Sequence, residues 1–323
     1  MERERWERMD PVTHTLAGLA AASFSGQAFS LTNPVYLGAA LGSLAPDLDI
    51  LYQLKGEVVY LKNHRGMSHS LPGLIGFSGL IAFVLHLFFP TTSFSFIWWW
   101  TFLGAVSHSL LDLLNSHGLR LFWPLSNKLI ALNLLNITDP IFLFILTGIT
   151  FGSFISPELV RVSVMALIAY LLLRFVLTGI IHGYLRRKFH GEKIKKIVVM
   201  PALLSIWKWY FLVETETTCY TGEMGVFSWA LTIYAKLEKH RENRIIKAAM
   251  ESTIGRIFRE FTPHFYVIYQ QLGNNHVVRF LDLRYYLKKE FLHSATVVFN
   301  QHCELREQFF HPFSRSRKIK VTG

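Results

Sequence analysis

The sequence predicts an α-helical multi-pass membrane domain, with about four spanning helices plus two short packed helices, followed by a C-terminal α+β cytoplasmic domain. Three observations predict this fold class. Hydrophobic residues make up 51% of the 323 residues and charged residues only 17%, which is typical of a membrane protein. Long apolar segments fill the first part of the chain. The excess positive charge is confined to the last part.

Charge divides the chain into regions. Residues 1–182 carry 10 Lys and Arg against 10 Asp and Glu, whereas residues 183–323 carry 23 against 12. We therefore predict a membrane-embedded domain at 9–182 and a basic domain at 183–323. Residues 1–8 are a charged tail. The opening run "MERERWERMD" lacks the apolar region of a cleaved signal peptide, and it reads either as a solvated tail or as an upstream extension of a protein that starts at Met9.

Two short helices open the membrane domain. Asp10-Pro11 and Asn33-Pro34 are each a helix cap followed by proline, and they precede "VTHTLAGLAAASF" and "VYLGAALGSLA". Both segments are too short to span a bilayer alone. Gly38 and Gly42 lie four residues apart, which favours close packing of the second helix against a bundle.

Four longer apolar segments are predicted to span the membrane, at residues 71–89, 94–114, 139–152 and 159–182. A span needs about 20 residues, so the third segment requires a backward extension through "LIALNLLNI". The connectors "PTTSFS" and "GSFISPE" contain no Lys or Arg, whereas "LRRKFHGEKIKK" after the fourth segment is densely basic. The positive-inside rule therefore places the C-terminal domain in the cytoplasm.

The periodicity changes after residue 183. Runs rich in β-branched and aromatic residues indicate half-buried strands, and "ENRIIKAAMESTIGRIFREF" shows the spacing of an amphipathic helix. We expect a small α+β domain with a mostly antiparallel sheet and one helix. The strand runs are "KIVVMP", "IWKWYFLVET", "FSWALTIYAKLE", "HFYVIYQQL", "VVRFLDLRYYL" and "ATVVFNQHCEL".

Threading the four predicted spans brings the ionisable residues of the membrane domain to one face of the bilayer. This set comprises His14, Asp47, Asp49, His64, Arg65, His69, His108, Asp112 and Asp139. Some members have simpler explanations. Asp139 precedes Pro140 as a helix cap would, Asp49 fits a turn, and Arg65 fits an anchor at phosphate level. His86 and His182 are best explained as buried core histidines.

The sum of these residues favours a metal site. Clustered carboxylates repel one another unless a cation neutralises them. Imidazoles and carboxylates without a thiolate suit zinc, manganese or iron, and the set is larger than one tetrahedral ion uses. We therefore predict a centre of two divalent ions, with zinc as the first choice. Such a pair activates water and aligns a phosphoester, and Arg65 is placed to hold a phosphate.

The motifs "HTLAG", "PDLD", "HRGMSHS", "HSLLDLLNSHG" and "TDPIF" carry a resemblance to a known family. Over about residues 9–150 the chain resembles the YdjM-type bacterial inner-membrane proteins, which are described as membrane-bound metal-dependent hydrolases. The resemblance implies metal-binding or catalytic roles for His14, Asp47, His64, His69, His108 and Asp112, with Asp49, Arg65 and Asp139 as further members. His117 stands where an uncharged residue is expected, as either an extra ligand or a residue without a role. Ser68 replaces a threonine.

The resemblance implies a hydrolase, and similarity to zinc-dependent phospholipase C and P1-type nucleases implies phosphoester substrates. We expect lipids or lipid-linked phosphoesters to be hydrolysed at the cytoplasmic face of the inner membrane, with Asp112 or Asp139 as general base. The alternative is a regulatory or scaffold protein with a structural metal and a basic domain that contacts a partner or anionic lipid. The basic residues are scattered among strands, so they favour a solvated surface over a nucleic-acid site.

Overall fold

The computed structural model describes residues 11–63, 65–152, 154–203, 205–239, 243–287, 290–312, 314 and 316–321. These residues form two compact units. Unit 1 takes the chain up to Leu51 and again from Asn63 to Leu177. Unit 2 takes Tyr52–Lys62 and the chain from Thr178 onward. Asp10, the predicted cap of the first helix, lies outside the described residues.

Seven helices precede the first strand in the described part of the chain. They are α1 (Pro11–Ala22), α2 (Pro34–Leu44), α3 (Glu57–Asn63), α4 (Leu71–Phe88), α5 (Phe94–Leu114), α6 (Pro140–Gly152) and α7 (Pro157–Lys188). Shorter 3-10 segments occupy Ala45–Lys55 and Met67–His69. The predicted cap of α2 is confirmed, because the Asn33 side chain accepts a hydrogen bond from the Val35 amide at 2.9 Å.

Helices α1, α2 and α5 approach one another at glycines. A Cβ on Gly42 would overlap the carbonyl oxygen of Thr101, and a Cβ on Gly104 would overlap the carbonyl oxygen of Ala39. These contacts require side chains no larger than hydrogen. The predicted close packing of α2 is therefore found, and it brings the backbone of α2 against α5.

The prediction of about four spanning helices is wrong. Among the described residues, two helices are long and apolar enough to cross a bilayer, namely α4 with 18 residues and α7 with 32. Helix α5 is long, but three tryptophans together with His108 and Asp112 reduce its apolar character, and His108 and Asp112 are buried. Helix α6 has 13 residues, about 20 Å of helix, against about 30 Å of hydrocarbon.

The backward extension of the third segment is also wrong, because residues 129–137 are not helical. The amides of Leu132 and Leu134 donate to the carbonyls of Leu113 and Leu114, each at 2.7 Å. The last carbonyls of a helix have no partner within the helix. The segment predicted as part of a span therefore caps the C-terminus of α5.

Unit 2 contains two antiparallel sheets and a two-stranded ribbon. The first sheet has the order β1 (Ile194–Ala202), β2 (Ser205–Thr215), β3 (Thr218–Gly225) and β4 (Leu231–Glu238). The second has the order β11-β10-β9-β6-β5, and β7 pairs with β8. Their bounds are β5 (Phe265–Leu272), β6 (Asn275–Asp282), β7 (Tyr286–Leu287), β8 (Glu290–Phe291), β9 (Ser294–Phe299), β10 (Leu305–His311) and β11 (Ile319–Lys320).

The predicted single sheet and single helix of this unit need correction. The amphipathic stretch forms two helices, α8 (Arg244–Glu251) and α9 (Thr253–Phe261). Ser252 separates them, because its hydroxyl accepts from the Gly255 amide at 3.1 Å and so caps α9. Helix periodicity continues across the break, which is why the sequence pattern did not reveal it. Ile254 and Phe258 pack on Val278 and Phe280 of the second sheet.

A short insertion from the N-terminal half of the chain belongs to unit 2. Val58 and Leu61 of α3 pack against the core that contains Phe258, and Glu57 pairs with Arg317. The chain thus leaves unit 1 after Leu51 and returns at Asn63. The insertion separates the stretch of unit 1 that carries Asp47 from the stretch that carries His69.

We predict that Gly104→Ala lowers the free energy of unfolding by about 1–3 kcal/mol, because the added methyl group forces α2 away from α5. The matched control is Gly76→Ala on α4, where a Cβ would meet no atom within 4 Å. That change should be neutral or slightly stabilising, since alanine is the better helix former. Thermal unfolding in detergent, followed by circular dichroism, compares the two. Equal effects would contradict the close packing of α2 and α5.

Candidate metal centre

Five ionisable side chains of unit 1 meet in one place. His14 comes from α1, Asp47 from the 3-10 segment after α2, and His69 from the 3-10 turn before α4. His108 and Asp112 come from α5, one turn apart. Donor atoms of His14, Asp47 and His108 lie within 4.8 Å of one another, and so do those of His69, His108 and Asp112. These are the two groups of possible metal ligands in the described part of the chain.

The orientation of His108 is fixed by the backbone of α2. Its Nδ1 lies 2.7 Å from the carbonyl oxygen of Ser43. A carbonyl accepts hydrogen bonds only, so Nδ1 carries the proton and donates it. With the proton on Nδ1, the nitrogen available to a metal ion is Nε2, which faces the cluster. A hydrogen bond from the second ring nitrogen to a carbonyl is the usual support of a metal-binding histidine.

His69 is held in the same way by a relay of two side chains. Its Nδ1 lies 3.0 Å from Ser68 Oγ, and Ser68 Oγ donates to Asp49 Oδ2 at 3.4 Å. Because the serine proton is directed to the carboxylate, Ser68 accepts the proton of His69 Nδ1. The amide of Arg65 also donates to Asp49 Oδ2, at 3.0 Å. Asp49 therefore organises the turn that presents Nε2 of His69 to the cluster.

The two Nε2 atoms face each other. They are 3.2 Å apart, and His69 Nε2 is also 3.2 Å from Asp112 Oδ2. Asp47 Oδ1 lies 3.6 Å from His69 Nε2 and 3.5 Å from His108 Nε2. Two imidazole nitrogens and two carboxylate oxygens thus converge. The Nδ1 protons of the two rings are donated away from this space, to Ser43 and to Ser68. Such a group is stable only if a proton or a metal ion lies among them.

His14 completes the group from the far side of His108. The two rings stack with centroids 3.7 Å apart, and His14 is fully buried. Within the described residues neither ring nitrogen of His14 has a hydrogen-bond partner. Burial, reinforced by His108, lowers the pKa of His14 to about 3, so the ring is neutral near pH 7. A neutral buried imidazole without hydrogen bonds is a ready metal ligand.

The electrostatics make His69 the protonated member when no metal is bound. Burial by itself lowers the pKa of His69, but the carboxylates of Asp112 and Asp47 raise it to about 9. Burial by itself raises the pKa of Asp112, but Arg65, His108 and His69 hold it well below its usual range. Burial likewise opposes ionisation of Asp47, and hydrogen bonding to His69 still lowers its pKa. The cluster therefore combines ionised carboxylates with one positive charge.

Arg65 and Asn115 hold Asp112 in position. Arg65 Nη2 lies 3.6 Å from Asp112 Oδ1, and Arg65 Nη1 donates to the carbonyl of Gly118 at 3.3 Å. The Asn115 amide group donates to the same Oδ1 at 3.3 Å. In the described residues Asp112 Oδ2 has no partner in hydrogen-bond geometry, although His69 is close. One carboxylate oxygen is thus fixed and the other is left for a cation.

Asp139 is not brought into either ligand group. Its Oδ1 accepts from the amides of Ile141 and Phe142, both at 3.1 Å, and its Oδ2 accepts from the Tyr170 hydroxyl at 2.6 Å. This is the helix-cap arrangement given as the alternative explanation of this residue. Asp49 is outside the groups as well and acts on His69 through Ser68. His64 lies outside the described residues. His117 contributes to neither group; its amide donates to Asn115 at 2.7 Å.

Three supporting residues were not identified from the sequence. Ser43 acts through its carbonyl oxygen, so its side chain gives no signal. Ser68 was treated only as a hydroxyl exchange, although it links His69 to Asp49. Asn115 had a detectable signal, because an asparagine after the last turn of a helix is a common cap, and it stands three residues after Asp112. Its side chain accepts from the amides of His117 and Gly118 and donates to Asp112.

The donor set fits a divalent metal. Three imidazoles and two carboxylates are ligands of zinc and of neighbouring transition metals. His108 belongs to both groups, yet its Nε2 has one lone pair and its Nδ1 is bound to Ser43. His108 can therefore ligate only one ion. A second ion would therefore need its ligands from the other four residues of the two groups.

The fold and the site together define a class of protein. In this class a helical part of the chain holds a buried histidine–carboxylate centre, and an α/β part follows it along the chain. The family model of the YdjM inner membrane protein matches residues 9–181, more than half of the chain. The chain belongs to that family, which confirms the family predicted from the motifs. Residues 244–321 match the model of the YfhP C-terminal alpha/beta plait domain.

A relative matches almost end to end. The chain is 29% identical over 328 residues to a protein of Bacillus subtilis (strain 168) named "Uncharacterized protein YfhP", and the alignment covers 97% of this chain and 99% of that protein. No solved structure gives a significant match. The combination of a YdjM-type region and an alpha/beta plait region is therefore similar to that of a known full-length protein.

We predict that Ser68→Ala lowers the free energy of unfolding of the metal-free protein by about 1–3 kcal/mol, because His69 Nδ1 loses its buried partner. The matched control is Ser78→Ala on α4. Ser78 is also fully buried, but its hydroxyl has no partner among the described residues, so this change should be neutral or stabilising. Urea unfolding in detergent measures both. A cost for Ser78→Ala equal to that for Ser68→Ala would contradict the relay.

Proposed function

We propose that this protein is a membrane-bound metal-dependent hydrolase that cleaves phosphoesters of lipids or lipid-linked molecules. It would hold two divalent ions, with zinc as the best match to the donor set, on His14, Asp47, His69, His108 and Asp112. His64 is proposed as a further ligand from the sequence motif. Membership of an inner-membrane family and the buried histidine–carboxylate groups support this function at the level of class.

One observation carries the proposal. The Nε2 atoms of His69 and His108 face each other at 3.2 Å, and the opposite nitrogen of each ring is committed to a hydrogen bond. A structural core histidine would direct one nitrogen to an acceptor and the other to a donor. Here both rings direct a lone pair at the same space, beside two carboxylates. This arrangement costs folding free energy unless a cation occupies the space.

The site is open on one side. The side chain of Asp47 is 37% exposed, whereas those of His69, His108 and Asp112 are buried. Substrate would therefore approach past Asp47. When bound, divalent metal ions lower the pKa of water and polarise a phosphoryl oxygen. Asp47 is the accessible carboxylate for accepting a proton. Arg65 has a buried Nε without a hydrogen-bond partner in the described residues, which can donate to a phosphoryl oxygen.

The place of the site along the chain supports a lipid substrate. His69 is followed directly by Ser70, whose hydroxyl accepts from the Gly73 amide at 3.4 Å and caps α4. Helix α4 is one of the two candidate spans. The site therefore lies at the end of an apolar helix, and we propose that this end is at the depth where phospholipid headgroups begin. Phosphate esters in headgroups are the substrates that this position favours.

The orientation of the protein is proposed from its charges. Exposed Arg186, Arg187 and Lys188 end α7, and unit 2 follows them. Short basic stretches that flank a spanning helix stay in the cytoplasm. We therefore propose that unit 2 is cytoplasmic and that the metal centre opens on the same side.

A scaffold protein with a structural metal is the alternative. Structural zinc sites are closed, with four protein ligands and no access for substrate. The exposed side chain of Asp47 and the presence of a fifth possible ligand favour a catalytic centre over a structural one.

The test uses the full-length protein purified in detergent. Bound metal is counted by mass spectrometry, and hydrolysis is assayed on a nitrophenyl phosphodiester, a nitrophenyl phosphomonoester and phosphatidylglycerol. We expect two ions and turnover on at least one substrate. His108→Ala should lower turnover by more than about 100-fold, which exceeds the usual effect of changing a supporting partner. The control is His86→Ala, because His86 contacts the Thr92 carbonyl outside the site.

Each result decides the matter. Loss of metal and turnover in His108→Ala, with both kept in His86→Ala, supports the proposal. Tightly held metal without turnover on any substrate contradicts the hydrolase and favours the scaffold. Absence of metal from the protein, even after incubation with zinc, contradicts the centre itself.

A further inference from the structure

Unit 2 carries a group of three exposed aromatic side chains and the half-buried Tyr184, which we together call the aromatic tip. It consists of Trp207 on β2, Phe227 and Trp229 in the turn between β3 and β4, and Tyr184 on α7. Phe227 is 77% exposed, Trp207 44% and Trp229 43%. The rings of Trp207 and Phe227 lie 5.1 Å apart, and those of Tyr184 and Trp229 lie 6.1 Å apart. Contiguous exposed aromatics of this size mark an interaction surface.

The tip is fixed at a defined level of α7. The buried indole of Trp209, two residues after Trp207, donates to the Thr178 hydroxyl at 3.2 Å. The ring of Trp229 lies beside Tyr184, six residues further along the same helix. The first sheet of unit 2 is thus attached to α7 between residues 178 and 184. The tip cannot move along the helix without breaking these contacts.

This level is where the apolar surface of α7 ends. Phe175, Val176 and Ile180 are exposed apolar side chains of the candidate span, whereas Arg186 and Arg187 are exposed and basic. Tyr184 follows Ile180 by about 6 Å of helix. The headgroup layer on each side of a bilayer is about 5–8 Å thick. The aromatic tip therefore lies at the depth of the headgroups if α7 crosses the membrane.

The chemistry of the tip matches this depth. Tryptophan and tyrosine concentrate at the membrane–water interface, where an apolar ring and a polar N–H or O–H are both solvated. Basic side chains immediately beyond them face anionic phosphates. The order along α7 is apolar, aromatic, then basic, and the tip adds three further rings at the aromatic level. A lipid surface continuous with that around α7 is the occupant that accounts for all of these features.

We propose that the aromatic tip inserts into the headgroup layer of the membrane that α7 enters. Unit 2 is then held on the lipid surface at a second place besides the helix. This contact fixes which face of unit 2 meets the bilayer. The inference rests on the exposure and placement of the tip and holds whether or not the metal centre is catalytic.

The experiment places an environment-sensitive fluorophore on the tip of the full-length protein. The variant Phe227→Cys is made in a Cys303→Ser background, because Cys303 is exposed whereas Cys219 is buried. The labelled protein is reconstituted into vesicles of phosphatidylcholine and phosphatidylglycerol, with and without lipids that carry a nitroxide quencher near the headgroup. The matched control is Leu272→Cys, at an exposed leucine that ends β5 beside Gln270 and Gln271.

The label at 227 should emit at shorter wavelength than the label at 272 and should lose more than half of its emission to the quenching lipids. The label at 272 should lose little. Equal, water-like emission from both positions would overturn the proposal. A blue shift at 227 without quenching by lipid would also overturn it, because it would assign the tip to contact with protein, such as a second copy of the chain.

Discussion

Positive charge is required among the donor atoms that converge at the centre of unit 1, and the packing of α1, α2 and α5 brings these atoms together. His69 and His108 direct Nε2 at each other, and Asp112 and Asp47 direct oxygens at the same space. The protein can place a proton there, on His69, or a divalent metal. A proton stabilises this group less well than a metal ion would. It provides a hydrogen bond for the ring of His69 but leaves the buried nitrogens of His14 without a hydrogen bond in the described chain. A metal ion would bind the lone pairs of at least three of these residues at once.

The fold serves this requirement through close packing. Stacking of His14 on His108 needs α1 near α5, and the hydrogen bond from His108 to Ser43 needs the backbone of α2 near α5. Gly42 and Gly104 permit the approach of α2 to α5, and Gly18 permits the approach of α1 to α2. Outside the helices, Asp49 fixes the 3-10 turn that carries His69, and Asn115 fixes Asp112. The candidate ligands are thus held in place by their neighbours, and of the five Asp47 is the one with an exposed side chain.

The sequence predicted which ionisable side chains lie close together better than it predicted the membrane topology. His14, Asp47, His69, His108 and Asp112 could be grouped because ionisable residues are rare in apolar helices and fell at the same ends of the predicted helices. The five residues still meet although the count of spanning helices was wrong, because their grouping depends on which helix ends lie close together and not on how many helices cross the bilayer. Apolar composition alone does not distinguish a helix that faces lipid from one buried among other helices.

Other features had no readable signal in the sequence. The carbonyl of Ser43 is available to any residue at that position, and its role depends on the distance between α2 and α5. The insertion of α3 into unit 2 brings together residues far apart in the chain. Amphipathic spacing predicts that one face of a helix is buried but not which surface covers it. Asp139 fitted two explanations, and its contacts with α6 and Tyr170 could be assigned only from coordinates. Long-range pairing, rather than local pattern, accounts for these gaps.

The most direct test of whether a metal ion supplies this positive charge is the X-ray absorption spectrum of the zinc-loaded, full-length protein. We predict nitrogen and oxygen neighbours at about 2.0–2.2 Å, with the outer scattering of several imidazole rings, which decreases in His108→Ala. Sulfur neighbours at about 2.3 Å, or the spectrum of hydrated zinc without imidazole scattering, would contradict the proposed centre.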